Sequence, residues 1–475
     1  MKVLFASAEC TPIAKVGGLG DVIGSLPKAL KELGVDVRIC LPKYQIIDFG
    51  KYKFDLIVKN IKVKNEEVNI YQGFLPASEV PVYLLENEKY FGENGIYFEK
   101  TAFVSSFKEI ERFLFFSKAV LEIFHKINWT PDILHCHDWH TAILPVLAKL
   151  QIRNSKFKIR NLLTIHNLAN QGKLNVKEIL DFLGLKGEEV ESLKIRDREG
   201  NLNILEQGIL NANLLNTVSK TYKKEILTKK YGKGLENSLS EKKSKLYGIL
   251  NGIDVERFNS EKDPNIKLNY SLKNFEKKIE NKLELQEIVG FPKNKNIPFI
   301  GIINRLTPQK GVDLIIEIIP ELVKRDFQLI ILGVGSVDYE KKLLEFGKKY
   351  PKNVSSQIKF DPILAQKIYA GCDIFLMPSK FEPCGLGQMI AMRYGTIPIV
   401  RKTGGLADTV KHKKNGFVFE KYKSAALLGT IREALKYYQA PKEWNEIVKR
   451  AMSEDFSWQK SAKEYLKLYK NLLKL

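Results

Sequence analysis

Apolar residues in this chain come mostly in short unbroken runs rather than in strict alternation with polar ones. KVLFASA, DVRICLP, DILHCHD, NLLTIHN and NLLNTVS are such runs in the first half, and KLYGILN, PFIGIIN, FQLIILG, DIFLMPS and TIPIVRK in the second. Between several of them the apolar positions recur at helical spacing, as in ERFLFFSKAVLEIFHKI and GVDLIIEIIPELVKR. A run apolar at every position buries both faces of its strand, which is the signature of parallel sheets covered by crossover helices. The pattern therefore predicts an α/β protein of two doubly wound domains, whose ligands lie beyond the carboxyl ends of the strands.

The join is expected near 245–255, where LYGILNGID carries the turn-forming pair Asn251-Gly252. This gives an N-terminal domain over 1–245 and a C-terminal domain over 246–457. A lysine-rich stretch, 260–297, holds one amphipathic helix, SLKNFEKKIENKLELQEIV. The last segment, WQKSAKEYLKLYKNLLKL over 458–475, is a helix with Ser457 as candidate N-cap. It is expected to return to the N-terminal domain.

At 475 residues the chain is too long for a single core. Its 44% hydrophobic and 28% charged content is that of a globular protein. No apolar run approaches the ~18 residues of a membrane span, and the N-terminus lacks a signal-peptide core. Five scattered cysteines with no C-x-x-C suit a reducing compartment, so a cytoplasmic location is expected. The net charge of +21 raises nucleic acid as a partner. The lysines are mixed with glutamates, however, as in KKIENKLE, so neither nucleic acid nor membrane is expected as a partner. The pattern fixes no oligomeric state.

Two phrases nearly repeat: KVGGLGDV at 15–22 and KTGGLADTV at 402–410. Each follows a strand-like run and opens a helical one, so each glycine pair presents backbone N–H groups at a helix start, where an anion binds. INRLTPQKG puts Arg305 and Lys310 around a loop opening another helix, a second anion site. In SKFEPCGLGQMIAMRYGT, Glu382 follows a strand and Gly385-Leu386 open a helix, so the carboxylate suits sugar hydroxyls and the helix start a phosphate. HCHDWH at 135–140 suggests a metal, but on a strand His135 and His137 share one face while Cys136 points away. Hydrogen-bonding groups lining a site fit better. His166-Asn167 leave a strand in TIHNLANQG, where a structural histidine and a catalytic one are both open readings.

Together K-V-G-G-L-G-D, H-D-W-H, H-N-L-A-N-Q-G, R-L-T-P-Q-K-G-V-D, F-E-P-C-G-L and Y-G-T-I-P-I-V-R-K-T-G-G-L-A-D-T-V resemble bacterial glycogen synthases and plant starch synthases, in collinear order to about residue 470. The resemblance is weakest at 90–110 and 186–200. It implies a retaining glycosyltransferase of the B type, with two Rossmann-like domains facing a cleft and the final helix crossing back to the first. It implies glucose transfer from ADP-glucose to the non-reducing end of an α-1,4-glucan. Front-face displacement is the favoured mechanism, with Glu382 as a covalent nucleophile the open alternative, and since no Asp-x-Asp occurs in the sequence neither a metal nor another cofactor is expected. On that resemblance Lys15, Gly17, Gly18 and Asp21 approach the diphosphate and sugar, and Arg305 and Lys310 carry the diphosphate charge. Glu382, Cys384, Gly385 and Leu386 orient the donor glucose, and His166 with Asn167 supports it near the reacting carbon. Thr403, Gly404 and Gly405 hold the phosphate end, Asn251 joins the substrate-binding set, and Tyr97, Asp138 and Trp139 lie on the acceptor side. Phe360 falls where a Tyr often stacks on adenine. Asn170, Gly387 and the segment FKEIERF also depart from the usual letters. The rival readings are a two-domain transferase using UDP-glucose or another acceptor, and a non-catalytic basic protein that binds polyanions.

Overall fold

The computed structural model describes residues 1–93, 95–97, 107–152, 158–186, 193 and 200–475. The chain forms two compact units, Met1–Gly252 with Trp458–Leu475, and Ile253–Ser457.

The first unit is built on a nine-stranded sheet. Its strands are β1 (Lys2–Ala6), β2 (Asp36–Pro42), β3 (Phe54–Val63), β4 (Glu66–Phe74), β5 (Pro81–Glu86), β6 (Ile133–His137), β7 (Arg160–Ile165), and, after the short hairpin β8 (Lys173–Asn175) and β9 (Asn201–Asn203), β10 (Leu214–Thr217) and β11 (Leu246–Gly248). They lie in the order β11-β10-β7-β6-β1-β2-β5-β4-β3. Pairing is parallel from β11 to β5, and Val3 sits level with both Val37 and Ile133. Strands β3 and β4 are an antiparallel addition at one edge. The apolar runs do the expected work: Val3–Ala6 and Ile133–His137 are buried at every position.

KLYGILN, expected in the second domain, instead supplies β11 at the edge of this first sheet, so the units part after Gly252 rather than after 245. The final helix, Trp458–Leu473, belongs to the first unit. Trp458, Ala462, Tyr465, Leu468, Tyr469 and Leu472 recur at helical spacing and join the core with Val22, Leu26 and Leu30 of the helix Gly18–Glu32. Each leucine or valine among them contributes about 1.5–3 kcal/mol on burial. Tyr469 bonds to His135 (2.8 Å) and Asn216 donates to Tyr465 (2.8 Å), which pins the helix to the sheet.

The second unit holds β12 (Phe299–Ile303), β13 (Gln328–Leu332), β14 (Val354–Gln357), β15 (Ile374–Met377), β16 (Ile397–Arg401) and β17 (Phe417–Phe419) in the all-parallel order β14-β13-β12-β15-β16-β17. The single helix expected over 271–289 is two pieces, an α-helix Lys278–Ile288 preceded by a 3-10 segment Leu272–Lys277, inside which Asn274 leaves helical geometry (φ −141°, ψ 37°) and accepts from the Ser271 N–H (2.7 Å). Ile253 N–H donates to the Phe456 carbonyl (2.8 Å), so the chain enters and leaves this unit side by side.

Both sheets reverse their winding at one point. In the first, β1 is followed by β2 on one side and β6 lies on the other. In the second, β12 is followed by β13 and flanked by β15. Loops leaving the carboxyl ends beside such a point form the natural ligand crevice of an open α/β sheet.

Candidate active site

In the first unit the neighbouring strands β1, β6 and β7 deliver their carboxyl-end loops to one place. After β1 the chain runs through Glu9 to Lys15 and the N-cap Gly17 of the helix Gly18–Glu32. Among the described residues no side chain caps this helix, and a Cβ at Gly18 would meet nothing within 4 Å, so the helix start is open beside Gly18. Its order comes from Glu9, a carboxylate only 3% exposed. Glu9 Oε2 accepts from Val16 N–H (2.8 Å) and Gly17 N–H (2.7 Å), and Oε1 accepts from the Tyr97 hydroxyl (2.7 Å). Lys15 Nζ lies 2.6 Å from Asp21 in the first helical turn.

The sequence reading passed over Glu9. Its signal was a lone acid at the end of an apolar run, a few residues before a glycine pair. Tyr97, expected on the acceptor side, spends its hydroxyl on Glu9, with its ring beside His140.

After β6, Asp138 takes a left-handed backbone (φ 53°), and its Oδ1 accepts from the N–H groups of His166 (2.6 Å) and Asn167 (3.3 Å) at the end of β7. Burial pushes the Asp138 carboxyl up to about 7, against the pull of those two N–H groups. Asn167 turns its own side chain to the N–H of Ala169 (3.0 Å). Trp139, expected as an acceptor contact, is 3% exposed; it packs against Phe113 and lies so close under Gly172 (φ 62°) that a Cβ there would strike its indole.

His135 gives one ring nitrogen to Tyr469 and the other to Thr164 (2.7 Å), so it has none left for a metal. His137 Nδ1 lies 3.1 Å from His166 Nε2. Burial holds His140 and His166 at about 3 and His137 well below the ordinary imidazole range, so all three are neutral at pH 7. Among the described residues no group of three or more His, Cys, Asp or Glu side chains is placed to hold a metal ion. Asn251, at the end of this unit, is buried with its Oδ1 unpartnered among the described residues.

In the second unit β12, β15 and β16 act the same way. Arg305 follows β12 and is exposed, its guanidinium making no hydrogen bond or ion pair among the described residues. Lys310, from the same loop, is committed: its Nζ lies 2.6 Å from Glu382 Oε2, which also accepts from the Ser379 hydroxyl (2.9 Å). Glu382 is 5% exposed, and its pairing with Lys310 and Ser379 was not legible in the spacing.

Cys384 is buried, and Gln388 donates to the Gly385 carbonyl (2.8 Å) at the start of the helix Gly387–Arg393, which Leu386 N-caps. The loop after β16 closes onto this one. Gly405 N–H donates to the carbonyls of Glu382 (3.1 Å) and Pro383 (3.2 Å), and Thr403 is fully buried. At Gly404 (φ 43°) a Cβ would collide with the Glu382 carbonyl.

The two glycine phrases thus share a strand–turn–helix setting but differ in use. Gly17-Gly18 leave a helix start open, whereas Gly404-Gly405 let one loop pack on another. Phe360, just beyond β14, is 84% exposed with no ring partner among the described residues.

Residues 2–241 match the family described as starch synthase catalytic domain, and residues 284–451 match glycosyl transferases group 1. The chain is 45% identical over 490 residues to a protein of Thermotoga maritima named glycogen synthase, covering all of this chain and 99% of that one. A Clostridium perfringens protein of the same name is 44% identical over 487 residues, with the same coverage. Among solved structures, the catalytic domain of starch synthase IV from Arabidopsis thaliana, bound to ADP and acarbose, superposes with a TM-score of 0.89 at 34% identity over the whole chain and 99% of its own. Sucrose-phosphate synthase of Thermosynechococcus elongatus, at 16% identity, covers 99% of this chain and 98% of its own, and shares the fold with a TM-score of 0.63.

Proposed function

The chain belongs to the family of glycogen and starch synthases, two-unit Rossmann-like hexosyltransferases, and we propose that it moves glucose from ADP-glucose to the non-reducing end of an α-1,4-glucan with retention. The observation that carries the reading is the pair of cations after β12. Arg305 is exposed and unpaired among the described residues, while Lys310 is fixed on a buried carboxylate.

A leaving diphosphate needs its growing charge met by groups already in place. In the second unit Arg305 and Lys310 are such groups, and no Asp-x-Asp occurs in the sequence to hold a divalent ion instead. Glu382, held by Lys310 and Ser379, is oriented to bind donor hydroxyls rather than to attack. His166, neutral with a pKa of about 3, is too weak a base to take the acceptor proton. The departing phosphate oxygen is the better acceptor, which is front-face displacement.

Phe360 supplies a flat surface for the adenine. Gly404 and Gly405 act by shaping the Glu382 loop, and Asp138 by fixing the backbone of His166. No described helix is long and apolar enough to cross a membrane. All five cysteines are buried and none forms a disulfide, which supports a cytoplasmic location. The test is turnover with ADP-glucose and UDP-glucose on a maltooligosaccharide acceptor, with the anomeric configuration of the product read by NMR. Transfer from ADP-glucose into a new α-1,4 linkage is the expected result. Transfer from UDP-glucose alone would assign another donor.

A further inference from the structure

His137 and His166 meet at the ends of neighbouring strands β6 and β7, with 3.1 Å between His137 Nδ1 and His166 Nε2. Both rings are buried and neutral, so each carries one proton and a single hydrogen lies between them. Two arrangements satisfy the contact. If His166 Nε2 donates, the proton of His137 must sit on its Nε2, which is buried with no partner among the described residues. The flanking rings offer that N–H nothing: Phe5 stacks at 24° to the His137 plane and His135 lies at 36°, so each presents its face to the ring rather than to its edge. A buried N–H without an acceptor is rarer in proteins than an under-satisfied acceptor.

If His137 Nδ1 donates, its Nε2 is a bare nitrogen and no donor is orphaned. His166 then carries its own proton on Nδ1, an atom with no protein partner among the described residues and not sealed from solvent as His137 Nε2 is. The backbone holds both residues in register for this contact. His137 N–H donates to Thr141 Oγ1 (2.6 Å), and His166 N–H donates to Asp138 Oδ1 (2.6 Å).

We propose that His137 is a positioning residue that fixes His166 in the Nδ1–H tautomer, so that His166 presents the donor sugar with a hydrogen-bond donor and not a base. The inference rests on the reading above for its consequence, since only there does His166 meet the sugar. The tautomer itself does not depend on that reading.

The chain has six histidines, so 15N-histidine labelling gives a small set of ring signals that long-range proton–nitrogen spectra sort by tautomer. In the unliganded wild-type protein at pH 7.5 the His166 ring is expected to show the Nδ1–H pattern. In His137→Phe it is expected to move to Nε2–H, with kcat for glucose transfer lowered ~10-fold and KM for ADP-glucose within about twofold. His137→Asn, whose amide nitrogen can occupy the place of Nδ1, is expected to restore the Nδ1–H pattern and most of kcat. An Nε2–H pattern in the wild type overturns the proposal, and so does a His166 tautomer indifferent to His137→Phe. If the Phe variant does not fold, the wild-type spectrum and the Asn variant decide. A wild-type protein with the Nδ1–H pattern but no transferase activity would leave the tautomer standing and remove the functional reading instead.

Discussion

Replacing Glu9 by Gln tests whether a buried carboxylate organises the glycine loop of the first unit. Its Oε2 takes two backbone N–H groups, from Val16 and Gly17, and its Oε1 takes the Tyr97 hydroxyl. Gln has nearly the same shape. It can keep its oxygen on the two N–H groups and give its amide to Tyr97, so what is lost is the charge. Hydrogen bonds to an ionised acceptor contribute about 1.5–3 kcal/mol, roughly twice the neutral value. Halving two of them removes about 2 kcal/mol of loop order, and at 1.4 kcal/mol per decade that is ~30-fold. If that order is what sets the loop for the diphosphate, kcat/KM for ADP-glucose falls by that factor. Glu9→Ala also strands two N–H groups and is expected to fall at least ten times further. The assay is initial-rate transfer to maltooligosaccharide, with thermal unfolding of each variant as a control. A folded Gln variant within twofold of wild-type kcat/KM would refute the argument.

Arg305→Met and Lys310→Met separate two cations of one loop. The first should leave thermal stability unchanged and cut activity ~10²-fold. The second should cut activity and also cost about 3 kcal/mol in urea unfolding, because it leaves Glu382 buried without its cation. Stability should fall as pH drops. His140 and His166, held at about 3 against an ordinary 6.5, take up protons on unfolding below pH 6.5, so their contribution is complete above 6.5 and lost towards 3. Asp138, raised to about 7 from 3.8, acts oppositely, its penalty being absent below about 4 and complete above 7, so Asp138→Asn should steepen the fall. A urea midpoint that rises from pH 6.5 to 4.5 would contradict the dominance of the two histidine shifts. Turnover should survive exhaustive EDTA treatment; activity lost and then restored by Mg²⁺ or Mn²⁺ would contradict the metal-free mechanism.

The central strands were legible because each is buried on both faces, which writes an unbroken apolar run. Strands β3 and β4 were not. FDLIVKNIKV has one largely exposed face, and its pairing shifts register between Leu56 and Val58 and again between Val58 and Ile61, so no clean period survives. KLYGILN was read correctly as a strand but placed in the wrong sheet, since an edge strand of three residues carries no mark of its neighbour.

Polar groups at strand ends were legible as a set. Their pairings were not, because Lys310 reaches Glu382 and Glu9 reaches Tyr97 across contacts that only the strand order creates. Trp139 shows the reverse limit. An aromatic in a polar motif reads as a ligand platform, and the close approach of Gly172 that buries it lies far along the chain.

The most direct measurement is incorporation of radiolabelled glucose from ADP-glucose into glycogen by the purified wild-type chain, beside Arg305→Met. The account requires label in glycogen that a debranching and exo-acting α-glucosidase pair releases as glucose, with the variant lowered ~10²-fold. No incorporation from ADP-glucose by a folded wild-type protein, or equal incorporation by the variant, would contradict it.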